Sequence, residues 1–362
     1  MEQNAIEVPK GLAGVIVDST AISSTDNEGN LIYRGYAATE IAEKLSYDQA
    51  AYLIVYSSIP TPEQLGLFSK FISDNSNIDS STEKIIKLMP KGMPLIDILR
   101  SVVSMLPTKE TENDRLLLSI SAKMPRIISN SYRCQNGLRQ LKDIKGNSAE
   151  RFYYLLTGKK DRVLSRYFEK MLILYMEHEF NASTFALRVT ASTLADPKAA
   201  VTSGLAAIKG PLHGGANAEI LNYMLSMKSA DEARSFIDQK LSKREKIMGF
   251  GHRIYKKMDP RAQFIKGQLK QLAKLKNSEL LYEIAVAAED EMWEKKQIPA
   301  NLDFYAAIYM YLLGISEPFY TPIFAASRSF GWAAHYIEQV GNNKLIRPDS
   351  KYSGPTNLSV GR

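Results

Sequence analysis

Three of the chain's four histidines lie in short segments beside glycine, arginine or carboxylate residues. These are Glu177-His178-Glu179-Phe180-Asn181, Gly210-Pro211-Leu212-His213-Gly214-Gly215 and Gly249-Phe250-Gly251-His252-Arg253. A fourth segment, Pro299-Ala300-Asn301-Leu302-Asp303, puts a carboxylate at an expected helix start. Imidazoles mounted on tight backbone are suited to proton transfer or oxyanion binding rather than to core filling.

Each candidate has a plainer reading beside the chemical one. His213 precedes a helical stretch, Ala216 to Leu225, whose N-terminal N–H groups disfavour an imidazolium. A neutral imidazole there can donate to a developing oxyanion, or it can simply cap the helix. His252 is followed by Arg253, Lys256, Lys257 and Arg261, a density of cations suited to a carboxylate or phosphate ligand, or to a solvated basic turn. Asp303 is either a general base held by the helix it begins or a partner for that helix's dipole. His178, between two glutamates, reads alternatively as a helix-surface residue. Arg328 reads as opening a helix that carries Trp332 and His335. His335 is given a packing role, and Arg347 lies in a polar tail.

Several chemistries are excluded or disfavoured. The Gly-x-Gly at 249–251 lacks the third glycine and preceding strand of a dinucleotide site, and no Gly-Lys-[Ser/Thr] loop occurs. No His-x-x-x-His or His-x-His pair points to a metal, and no Gly-x-Ser-x-Gly elbow to a serine hydrolase. Cys134 is the single cysteine, which forbids an internal disulfide and fits a cytoplasmic protein. The longest weakly polar run, Tyr305 to Ile315, is far short of the roughly 20 residues of a membrane span, and MEQNAIEVPKG has no signal-peptide pattern. The net charge of +7 admits an anionic substrate. A basic helical nucleic-acid-binding protein, or an inactive structural relative, is the alternative of another class. It lacks a basic stripe with interleaved aromatics.

The elements that must carry these residues are helical. Ser46-x-x-Gln49, Thr61-Pro62-x-Gln64, Ser80-x-x-Glu83 and Ser229-x-x-Glu232 each precede an apolar-periodic run and have the form of capping boxes. Asp259-Pro260 is a further helix start. Prolines 90, 94, 107, 197, 211, 299, 318 and 322 read as breaks. Val15-Ile16-Val17 and Leu31-Ile32-Tyr33 flank Asp26-Asn27-Glu28-Gly29-Asn30, which predicts one small hairpin. No strand–helix alternation or internal repeat is present, so the expected fold is mainly α with a minor N-terminal β element. With 362 residues the chain has room for about two domains. The stretch 214–314, bracketed by glycine- and proline-marked turns, is expected to be a small helical domain set into a larger one formed by 1–213 and 315–362.

Taken together, these segments resemble the citrate synthase family, in the shorter form of its bacterial and archaeal members. The resemblance runs from Lys10-Gly11-Leu12 to Tyr352-Ser353-Gly354-Pro355. It rests on Tyr33-Arg34-Gly35-Tyr36, HEFNAST at 178–184, GPLHGGAN at 210–217, GFGHRIYKKMDPRA at 249–262, NLDFY at 301–305, SRSFGWAAH at 327–335 and RPDSKY at 347–352. The resemblance implies an all-α, two-domain, at least dimeric enzyme that condenses acetyl-CoA with oxaloacetate, or propionyl-CoA in a 2-methylcitrate synthase, with no tightly bound cofactor. His213, His252 and Asp303 match the catalytic residues. Asp303 would take the methyl proton, His213 would donate to the thioester oxygen, and His252 would polarise the oxaloacetate carbonyl. His178, Arg261 and Arg328 match residues that hold oxaloacetate, and Arg347 matches an arginine given to the partner subunit. Ile247, Met248, Gly249, Phe250 and Gly251 match backbone that receives CoA, and Lys256 matches a phosphate contact. Two departures stand out: Glu177 replaces the aspartate of many relatives, and Lys256 replaces an arginine of some, which puts a bidentate phosphate grip in doubt.

Overall fold

The N-terminal caps written into the sequence start most of the helices, and helices dominate the molecule. The computed structural model describes residues 6–26, 29–107, 109–214 and 217–360. Asn27 and Glu28 of the expected hairpin turn, and Gly215 and Ala216 after His213, lie outside the described residues. A three-stranded antiparallel sheet comes first, formed by β1 (Ser23–Thr25), β2 (Leu31–Tyr33) and β3 (Tyr36–Ala37). Ten helices follow: α1 (Ala38–Lys44), α2 (Tyr47–Tyr56), α3 (Pro62–Asp74), α4 (Ser80–Leu88), α5 (Leu95–Met105), α6 (Asn113–Gln135), α7 (Ser148–Thr157), α8 (Arg162–Tyr175), α9 (Ala182–Ser192) and α10 (Pro197–Ile208). Then come α11 (Asn217–Ser226), α12 (Ala230–Ser242), α13 (Pro260–Leu275), α14 (Glu279–Lys296) and α15 (Leu302–Leu312), a short 3-10 turn (Glu317–Phe319) and α16 (Tyr320–Gly341).

Ser46 and Thr61 close complete capping boxes with Gln49 and Gln64, each such cap contributing about 1 kcal/mol. Other expectations shift. α4 is capped by Asp79, whose carboxylate accepts from Thr82 N, so Ser80 is its first residue rather than its cap. Ser229 caps α12, but Glu232 accepts from Lys228 N instead of returning to Ser229. The hairpin pairs Ser23–Thr25, not Val15–Val17, with Leu31–Tyr33. Residues 15–17 form no strand, and Ile16 is 90% exposed: apolar alternation makes no strand without a neighbour to pair with, and Val15 N turns back to donate to Leu12 O at 3.3 Å. Pro322 sits in the first turn of α16 and breaks nothing, because the missing N–H there has no intrahelical acceptor. Arg328 is consequently mid-helix rather than at a helix start.

α16 is the spine of the core. It is buried on nearly all sides from Tyr320 to Tyr336 and packs on α2, α6, α8, α9 and α10. Trp332 is fully buried, and a Cβ at Gly204 of α10 would lie 3.1 Å from its ring, so glycine sets this helix spacing. Helices α11 to α15 pack on one another, and α13 also touches α1 and α8. No helix among the described residues is long and apolar enough to cross a membrane.

Candidate active site

A cleft of about 970 Å³ gathers residues that are far apart in sequence. His178, His213, Ile247, Met248, Gly249, Phe250, Gly251, His252, Arg261, Asp303 and Arg328 all line it. Lys256 and Arg347 are not among its lining residues. Lys256 donates to His252 O at 3.1 Å. Arg347 is in the exposed C-terminal stretch, paired with Asp349 at 2.9 Å.

Two tight backbone features hold His252 next to Asp303. Gly249 and Gly251 have φ of +94° and +78°, and a Cβ at Gly249 would lie 2.9 Å from Phe304, so both positions require glycine. Gly251 N donates to Pro299 O at 2.8 Å, Asn301 N to Gly249 O at 2.9 Å, and Asn301 Nδ2 to Gly251 O at 3.0 Å. The turn bearing His252 is thereby latched to the residues that begin α15. Asn301 also caps α15, accepting from Asp303 N at 3.1 Å, which fixes Asp303 in the first turn. Asp259 adds a second tie: it caps α13, accepts from Leu302 N at 3.1 Å, and grips Arg261 through Nε at 3.1 Å and Nη2 at 2.9 Å.

The opposite wall comes from the loop after α8 and from α16. Tyr33 OH donates to Glu177 O at 2.9 Å, and Glu179 adopts φ of +51°, so the chain turns sharply around His178. His178 is buried. Its ring lies 5.3 Å from that of His252 and 5.5 Å from Tyr255, which itself stacks on His252 at 4.6 Å. The helix-surface reading of His178 is therefore wrong. Arg328 is buried, anchored by Nε to Tyr175 O at 2.8 Å and set over the Phe324 ring at 4.7 Å. His178 Nε2 and Arg328 Nη1 are buried without hydrogen-bond partners. Buried polar atoms are rarely left so, and two of them on one cleft mark a place for an external polar group.

Burial, followed by Arg328 nearby, lowers the His213 imidazole to about 4. Burial, followed by Arg261, does the same for His252. His178 is pushed well below the usual value, first by burial and then by Arg261. All three are neutral near pH 7. His252 Nδ1 accepts from Ile254 N and Tyr255 N at 3.2 and 3.3 Å, so neutral His252 carries its proton on Nε2 and has one donor to offer. His213 Nε2 is 2.8 Å from Ser183 Oγ, which is also 2.8 Å from Asn181 Oδ1. The direction of the Ser183 proton therefore sets which nitrogen of His213 donates. Burial depresses Arg328 to about 10, against the opposing pull of Glu177. Arg261 moves the other way, because Asp259 outweighs its burial. Among the described residues no group of three or more His, Cys, Asp or Glu side chains is arranged to hold a metal.

These depressed imidazoles predict acid lability. Folded His213 and His252 titrate near 4 and unfolded histidine near 6.5, so the unfolded chain takes up protons first. Their contribution to stability is complete above about pH 6.5 and is lost as the pH falls towards 4. Melting temperature followed from pH 7 to 4, with NMR titration of the imidazoles, checks this. Titration of either residue near 6.5 would contradict it.

Sequence reasoning did not single out Tyr255, Ser183 or Phe324. Tyr255 and Ser183 lie within recognised motifs and Phe324 lies just before one, and none has a polar-cluster signal of its own. It also gave Gly11–Asp18 no place in a site, reading Val15–Val17 as a strand instead; the stretch forms part of the cleft wall and is tied to it by Arg253 donating to Gly11 O.

Comparison with known proteins places this geometry in context. Residues 11–349 match the family model described as citrate synthase, C-terminal domain. The chain is 38% identical to a citrate synthase of Mycolicibacterium smegmatis, over 99% of this chain and 98% of that protein. It is also 38% identical to a 2-methylcitrate synthase of Shewanella oneidensis, over 95% and 94%. A citrate synthase of Thermoplasma acidophilum, solved as a ternary complex with carboxymethyl coenzyme A and oxaloacetate, superposes with a TM-score of 0.90 at 31% identity, covering 98% of both chains.

Proposed function

The chain belongs to the citrate synthase family, and from that premise we propose that it condenses acetyl-CoA with oxaloacetate and hydrolyses the citryl thioester to citrate and CoA. Its family makes it an acyl-transferring enzyme. The observation that carries the specific reading is the convergence of three neutral histidines, a helix-mounted aspartate and two buried arginines on one cleft.

Thioester methyl protons are very weakly acidic, so Asp303 needs help from charge stabilisation at the oxygen. His213, neutral, donates to the forming enol or enolate oxygen. His252 Nε2–H polarises the ketone of oxaloacetate, and His178, Arg261 and Arg328 hold its carboxylates. Binding both reactants in one cleft turns a bimolecular condensation into a nearly unimolecular one. Backbone of Ile247, Met248, Gly249, Phe250 and Gly251 receives CoA, with Lys256 near its phosphates. Residues 214–314 form a small domain that closes over the larger one to keep water out until carbon–carbon bond formation is complete. The enzyme works as a cytoplasmic homodimer without a tightly bound cofactor, Arg347 reaching the partner's site. Its exposure in the single chain supports that role.

The identity to the 2-methylcitrate synthase supports a second reading, propionyl-CoA as substrate. One methyl group discriminates by about 1–3 kcal/mol. Initial rates of thiol release with each acyl-CoA and oxaloacetate test both readings. We expect kcat/KM for acetyl-CoA to exceed that for propionyl-CoA by about tenfold or more. The reverse order assigns 2-methylcitrate synthesis, and no thiol release with either substrate overturns the proposal.

A further inference from the structure

Behind the cleft, α16 carries Arg328, Gly331 and His335 at spacings of three and four residues, so they share one stripe of the helix. The carboxylate of Glu177 lies on that stripe. Its Oε1 accepts from Ser23 Oγ at 2.9 Å and lies 2.9 Å from His335 Nε2. Its Oε2 packs so closely on Gly331 that a Cβ there would collide with it. Glu177 and His335 are both fully buried. On the far side of the imidazole, Arg188 Nη1 is 3.1 Å from His335 Nδ1 and donates to Glu338 at 2.7 Å, while its Nη2 donates to Asp18 at 3.2 Å. Asp18 itself lines the cleft. Phe180, stacked under Arg188 at 4.5 Å, also lines the cleft.

The donor inventory decides the row's polarity. A guanidinium has no acceptor, so Nδ1 of His335 must present a lone pair to Arg188. The ring proton is then on Nε2 and is donated to Glu177. Glu177 has Oε1 engaged by His335 and Ser23 and Oε2 lodged against Gly331 without a hydrogen-bond partner, and it does not close an ion pair with Arg328, unlike the direct Asp259–Arg261 pair. Arg328 is left with a nearby counter-charge and an unpartnered Nη1.

We propose that Glu177 and His335 are positioning residues: Arg188 fixes the tautomer of His335, His335 holds the Glu177 carboxylate on α16, and Glu177 keeps the adjacent His178 and the buried Arg328 preset to take a dicarboxylate. This rests on the reading of the cleft as an oxaloacetate site. It departs from the sequence expectation that His335 only packs.

The first test uses the unmodified protein labelled with ¹⁵N-histidine, whose four histidines give a simple spectrum. His335 is expected with a proton on Nε2 and a bare Nδ1. A proton on Nδ1, or on both nitrogens, overturns the relay. This measurement needs no substitution and so stands even where a variant fails to fold. The second test is kinetic. His335→Leu should raise KM for oxaloacetate by about tenfold, as loss of one buried charge-assisted bond implies, and leave KM for acyl-CoA nearly unchanged. His335→Gln, whose amide can donate to Glu177, should recover most of that loss. Equal rises in both KM values, or a Gln variant as poor as Leu, overturn the proposal. Absence of thiol release from the unmodified enzyme would instead remove the proposed function, and the tautomer would still decide the relay.

Discussion

Asp303→Ala should lower kcat for thiol release by about 10³-fold or more while oxaloacetate still binds, because a positioned general base contributes roughly 10²–10⁴ and no other carboxylate is assigned to replace it. The structure makes the separation of the two effects expected. Asp303 is held by its own helix start, through Asn301, whereas the diacid grip is assigned to His178, Arg261 and Arg328 on other segments. Removing the carboxylate leaves the Asn301 cap and the Gly249–Gly251 latch in place, so the His252 turn has no reason to move. Oxaloacetate affinity followed by calorimetry, beside single-turnover thiol release, measures both quantities. Near-normal kcat in this variant would remove Asp303 as the base.

Arg328→Ala should weaken oxaloacetate binding by roughly 10²-fold, the scale of a buried charge-assisted hydrogen bond, with CoA affinity changed by far less. Arg328 is fully enclosed, its Nε is spent on Tyr175 O, and its Nη1 has no partner, so the guanidinium is oriented before any ligand arrives. Arg328→Lys should recover little, since an ammonium cannot reproduce both the Tyr175 contact and a forked grip. Dissociation constants for oxaloacetate and CoA, measured on variants shown to be folded, decide the matter. Equal losses for both ligands would argue against a carboxylate clamp at this position.

Local chemistry is what the sequence made legible. Ser46, Thr61, Asp259 and Asn301 announced their helix starts because a cap and the backbone N–H that donates to it lie within three residues of each other. Gly249 and Gly251 announced a tight turn for the same reason. The long motifs made the family recognisable. Where a nearer cap competed, as Asp79 did with Ser80, the boundary moved by one residue, and where an apolar alternation had no neighbour, at 15–17, no strand formed.

The sequence alone, then, determined a helical chain with three histidines and an aspartate on stiff local turns, since caps and glycine turns depend on neighbours a few residues away. Only the tertiary structure decided which of these groups face one another. The latch between 249–251 and 299–301, the contact of His178 with His252, and the row from Arg188 through His335 to Glu177 each join segments that no local period relates. His335 shows the difference most clearly: in the sequence it is one more residue on an apolar helix, and its tautomer becomes readable only when a donor-only guanidinium and a buried carboxylate are found on its two sides.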